Sequence, residues 1–159
     1  MQKLIIQQPY LKIKCSLGEG PFYETTTNTL RFVDIVTCKI HTVDLKVGPS
    51  SLKSYDTPTS VGTTADIAES PTAQAVNEHV FVCGGKYGIG LFNRKTGDYK
   101  LIKDYWTDEE KKKGKHETLR GNDGSVDCMG RYWVGVMNDP LVKEPSEEGK
   151  MPHLALGTL

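Results

Sequence analysis

The sequence predicts an all-β fold of the β-propeller kind. Two observations carry that expectation. The chain is a succession of short β-branched and aromatic runs separated by polar turns, with no long amphipathic helix. Three of those runs, "LRFVDI", "HVFVCG" and "RYWVGV", share a polar turn, an aromatic and then valine. Their aromatics, Phe32, Phe81 and Trp133, recur about 50 residues apart, a period that fits propeller blades of about four strands. A β-sandwich also has many short strands but has less reason to repeat one motif at constant spacing.

The elements follow in order. "LRFVDI" (Leu30–Ile35) comes after the turn "ETTTN", and "KIHTVDL" (Lys39–Leu45) alternates apolar and polar residues. "HVFVCG" (His79–Gly84) follows Asn77-Glu78, and "GIGLFN" (Gly88–Asn93) leads through "RKTGD" into "YKLI". "TDEEKKKGKHETL" (Thr107–Leu119) is nearly all polar and reads as a solvated loop or a short surface helix. The polar cluster "RGNDGSVD" (Arg120–Asp127) precedes "RYWVGVM" (Arg131–Met137), which reads as a buried strand. The N-terminal run "KLIIQQ" reads as a further strand of the kind that completes a propeller's last blade.

Composition sets bounds on function. The chain has 159 residues, 37% hydrophobic and 25% charged, which suits one globular domain spanning 1–159. Twenty basic and twenty acidic residues balance, so nothing points to nucleic acid or an anionic membrane surface. No apolar run approaches the roughly 18 residues of a membrane span. Cys15, Cys38, Cys83 and Cys128 lie far apart with no CxxC pair, which argues against a zinc site and for free thiols in the cytoplasm. No nucleophile elbow and no P-loop is present. At about 50 residues per unit the chain holds about three blades, whereas closed propellers use about 4–8. The expectation is an incomplete propeller, with "HLALGTL" opening one more strand and a missing C-terminal half as a possible partner.

Three segments taken together bring a family into view: "LGEGPFYETTTNTLRFVDI" with "IHTVDL", then "RGNDGSVDCMGRYWVGVM", then "ALGTL". In this order and spacing the chain resembles the N-terminal half of the SMP-30/gluconolactonase/LRE-like family, which includes regucalcin and bacterial sugar lactonases. The resemblance implies a six-bladed propeller, this chain covering about the first three blades. It also implies one divalent metal ion (calcium, zinc, manganese or magnesium) in the central channel. The Glu of GEGP, here Glu19, would be a metal ligand, and a carboxylate between two glycines can approach a hard cation closely. Read alone, Glu19 is a glutamate in a Gly-rich turn. The family's R-x-N pair maps to Arg120 and Asn122, which would contact a sugar lactone. Asp139 takes the place of an acidic residue that can touch substrate. The remaining ligands and the general base would lie beyond Leu159. The implied activity is metal-dependent lactone hydrolysis, weak or absent in this chain. The alternative is a calcium-binding regulatory or interaction protein. Asp123 and Asp127 are read as turn braces, His41 as a structural hydrogen-bonder rather than a ligand, and His116 as solvated.

Overall fold

The computed structural model describes residues 5–67 and 79–142. They form ten strands in three antiparallel sheets. The first sheet holds β1 (Gly18–Glu24), β2 (Thr29–Asp34), β3 (Lys39–Asp44) and β4 (Lys53–Asp56), in that order. The second holds β5 (Val61–Asp66), β6 (Val80–Gly85), β7 (Gly88–Asn93) and β8 (Tyr99–Asp104), again in chain order. The third pairs β9 (Leu119–Val126) with β10 (Tyr132–Asn138). Two four-stranded meanders in sequence are the unit that the period of about 50 residues predicts. The residues 143–159, including "ALGTL", lie outside the described region.

Side-chain alternation builds the core. Val33 and Ile40 face each other across β2 and β3, and both are fully buried. They join Ile35, Val61, Phe81, Cys83 and Phe92 in one cluster between the first two sheets. A second cluster of Trp106, Leu119 and Val136 seats the third sheet on the second. The tight turns use left-handed residues where β-strands must reverse: Asn28 and Cys38 have φ of 52° and 53°.

Several expectations need correction. "KLIIQQ" forms no strand over its described part, and Ile5 and Ile6 are exposed. "RYWVGVM" is not a buried strand: Trp133 is 49% exposed and Val136 is its buried residue. Alternation along β10 puts Trp133 and Met137 on an exposed face and Val136 on the buried one. The charged segment takes the second of its two readings, a short surface helix, and does so as two pieces, α1 (Asp108–Lys112) and α2 (Lys115–Thr118). Thr107 and Glu110 form a capping box that starts α1. His116 is half-buried rather than solvated, and its Nδ1 has no hydrogen-bond partner. All four cysteines are free, as the spacing predicts.

Candidate functional site

The first strands of the first and third sheets, β1 and β9, carry the site motifs. β1 packs against β5, and β5 against β9, so the three inner strands lie side by side. Each is irregular at one level. The register of β1 shifts between Glu19 and Phe22, that of β5 at Gly62, and that of β9 across Asn122–Asp123. These three bulges touch. A Cβ on Gly20 would stand 3.0 Å from the Gly62 carbonyl oxygen, and one on Gly62 would stand 1.8 Å from the Asn122 carbonyl oxygen. Only glycine at 62 permits that approach. Gly20 has φ of 56°, which also favours glycine. Bulges of this kind re-aim side chains near binding sites.

Glu19 therefore sits in a bulged edge strand, not in a turn. Its side chain is exposed and lines a cleft of about 420 Å³ with Phe22, Thr63, Asp123 and Ser125. Pro21 is tolerated there because β1 is an edge strand that can lose one N–H. "RGNDGSV" is likewise strand rather than loop, and the hairpin turn follows it. Asp127 braces that turn. Its carboxylate accepts the Trp133 indole N–H at 2.9 Å, the Met129 and Arg131 amides at 2.9 Å each, and Arg131 Nε at 2.7 Å. Among the described residues Asp123 accepts its neighbour's amide, from Gly124 at 2.7 Å, and its carboxylate stays exposed beside the Glu19 cleft.

Arg120 is the centre of the group. It is 3% exposed, and its NH1 donates to Asn122 Oδ1 at 3.0 Å and to the Gly121 carbonyl at 2.9 Å. Burial pushes its guanidinium below the ordinary range, while the carboxylates of Asp139 and Glu19 oppose that shift. Both acids are thus within electrostatic reach of Arg120. Asp139 is also buried, at 3% exposure, and ion-paired to Lys86 Nζ at 2.8 Å. Its second oxygen accepts the Leu141 amide at 3.1 Å. Asn122 and Arg120 do not line the Glu19 cleft. Asn122 opens instead onto a neighbouring cleft of about 400 Å³ beside Trp133 and Met137, and the two clefts share Asp123, Gly124 and Ser125.

Sequence reasoning missed Lys86 and Thr63. Lys86 follows the strand β6 at its Gly-Gly end and reaches Asp139, and nothing in its local pattern marks it. Thr63 donates to the Gly124 carbonyl at 3.1 Å and joins β5 to β9. The oxygen donors Glu19, Asp123, Thr63 and Ser125 around one cleft suit a hard divalent cation rather than a soft one.

Comparison with known proteins shows the family. Residues 17–158 match the family described as the SMP-30/Gluconolactonase/LRE-like region. The chain belongs to that family. A Cell growth-regulated gene 1 protein of Candida albicans is 30% identical over 137 residues, covering 77% of this chain and 36% of that protein. An uncharacterized protein of Saccharomyces cerevisiae is 27% identical, covering 87% of this chain and 45% of its own length. The chain thus spans less than half the length of these relatives. Among solved structures, a calcium-binding protein, regucalcin, of Agrobacterium tumefaciens superposes with a TM-score of 0.63 at 21% identity, covering 78% of this chain and 36% of that one. A luciferin-regenerating enzyme superposes with a TM-score of 0.62 at 24% identity, covering 79% of this chain and 37% of that one. At these identities the likeness shows the fold: an antiparallel all-β chain of the SMP-30 and regucalcin propeller type.

Proposed function

We propose that this chain carries the N-terminal part of a metal-dependent sugar lactonase site, within a six-bladed propeller of which it forms about the first three blades. The observation that carries the reading is the grouping of family-motif residues around Arg120: Asn122 hydrogen-bonded to it, and Asp139 and Glu19 close enough to bias its charge. Glu19 would hold a divalent ion. Bound there, such an ion would act as a Lewis acid toward a lactone carbonyl.

The chain's own residues do the rest. The Arg120 hydrogen bond occupies Asn122 Oδ1, so the amide Nδ2 is turned out as a donor toward sugar hydroxyls. The Lys86 ammonium holds Asp139 as a fixed carboxylate, which can accept a hydroxyl hydrogen without itself moving. Arg120, buried behind the clefts, supplies longer-range positive charge within electrostatic reach of Glu19 and Asp139. No general base is assigned in this chain, and the reading places it in sequence that follows the three blades.

The test is hydrolysis of gluconolactone with added calcium, zinc or manganese. The chain alone is expected to turn over weakly or not at all, and any metal-stimulated rate should vanish in Glu19→Gln and Arg120→Ala. Robust turnover by the chain alone would overturn the incomplete-site reading. Turnover that ignores both substitutions would overturn the site itself. The calcium-binding name of the regucalcin neighbour supports a second reading, a calcium-binding regulator on the same scaffold. Calcium binding that survives Arg120→Ala, with no hydrolysis in any form, favours that one.

A further inference from the structure

The first sheet holds another set of metal-ligand side chains that the lactonase reading leaves unused. Cys15 Sγ, a carboxylate oxygen of Asp34 and a ring nitrogen of His41 all lie within 4.8 Å of one another. Zinc-class ions take this mixture of thiolate, carboxylate and imidazole with bonds of about 2.0–2.3 Å. Ligand atoms around one such ion stand roughly 3–4 Å apart, so about 1 Å of closure completes the geometry.

Each group is prepared for the role. His41 is 3% exposed, and its Nδ1 lies 2.8 Å from Ser54 Oγ across β3 and β4. Its Nε2 is buried and has no hydrogen-bond partner. The tautomer in which Nδ1–H donates to Ser54 leaves the lone pair on Nε2, which is how metal-ligating histidines are oriented. A buried, unmatched ring nitrogen is destabilising, and a cation would satisfy it. Phe32 packs on the same ring at 4.9 Å between centroids and fixes its plane. Asp34 accepts the Ser16 amide on Oδ2 at 2.9 Å and the Leu17 amide on Oδ1 at 3.0 Å. Oδ2 thus keeps a lone pair for a cation. Cys15 is half-buried in the segment before β1, and Gly18 leaves room for it: a Cβ there would stand 3.1 Å from Cys15 Cβ.

We propose that Cys15, Asp34 and His41 form a site for a borderline-soft divalent ion of the zinc class, distinct from the oxygen-lined Glu19 cleft. On binding, the Cys15 thiol releases its proton to solvent and the sulfur–metal bond forms. The ion pins the chain before β1 onto β2 and β3. It thereby holds the strand that presents Glu19 in register.

Cobalt(II) titration of the full chain tests this. The wild type should show a thiolate-to-cobalt charge-transfer band saturating at one equivalent, which zinc then displaces. Cys15→Ser should abolish the band and weaken zinc binding by at least about a hundred-fold. This variant leaves strand pairing intact, because Cys15 lies outside the sheets. His41→Gln should weaken zinc binding similarly. Cys128→Ser and Glu19→Gln should leave the band unchanged, which separates this site from the exposed thiol and from the lactonase cleft. A wild type without the band, or a band that survives Cys15→Ser, overturns the proposal.

Discussion

Asp127 shows how much one carboxylate can organise. Four donors converge on it, and the Trp133 indole N–H leads the causes that hold its pKa down to about 2, from an ordinary 3.8. A depressed carboxylate contributes stability that is fully present above its unfolded pKa and is lost as pH falls through the folded one. The β9–β10 turn should therefore hold at pH 5 and loosen progressively from about pH 4 down to about pH 2. The Trp133 indole N–H resonance should follow that titration, and Asp127→Asn should remove it. The bracing role was legible because Asp before a Gly-containing turn is a familiar local device. The geometry of Glu19 was not. A Gly-Glu-Gly-Pro string reads locally as a turn, and only the neighbouring Gly62 carbonyl makes it a bulged strand.

Arg31 does for the sheets what Asp127 does for a turn. It is fully buried on β2, with Nε donating to Thr64 Oγ1 at 2.8 Å and NH2 paired to Asp66 at 3.1 Å. NH1 pairs with Glu24, which Arg94 also engages at 2.8 Å and 2.9 Å. The guanidinium lies between the Phe22 and Phe81 rings, 4.6 Å and 4.0 Å from their centroids. The network therefore joins β1 and β2 of the first sheet to β5 and to the end of β7. Arg31→Met should leave Glu24 buried with Arg94 as its one remaining cation among the described residues, beside Thr27, and destabilise the chain by about 3 kcal/mol, read as a lower urea midpoint. Alternation did contain a hint, since Arg31 shares the inward face of Val33. No local rule says which carboxylate waits there, because Asp66 and Arg94 arrive from 35 and more residues away.

Across the whole molecule, burial is uneven. β2, β3, β6 and β7 are each paired on both edges, whereas β10 is paired on one among the described residues. Amide exchange should accordingly be slowest in β2, β3, β6 and β7 and faster by at least about tenfold in β10, measured by hydrogen–deuterium exchange. Uniform protection across all three sheets would contradict this picture.

Family membership and the strands β2, β3, β6, β7, β8 and β10 were determined by the sequence itself, whereas β1, β4, β5 and β9 were not read as strands. Alternation, turn chemistry and the spacing of GEGP and RxNDGxxD are local or linear properties, and a linear reading recovers them. It also singled out Arg120, Asn122, Glu19 and Asp139, though it could not say how they stand to one another. The tertiary structure decided that. It stacked three bulged strands through Gly20, Gly62 and Asn122, set Lys86 against Asp139, and brought Cys15 and Asp34 to His41. Those meetings depend on the packing of whole sheets. Residues far apart in the chain become neighbours only when apolar faces close on one another, and no spacing rule encodes the result.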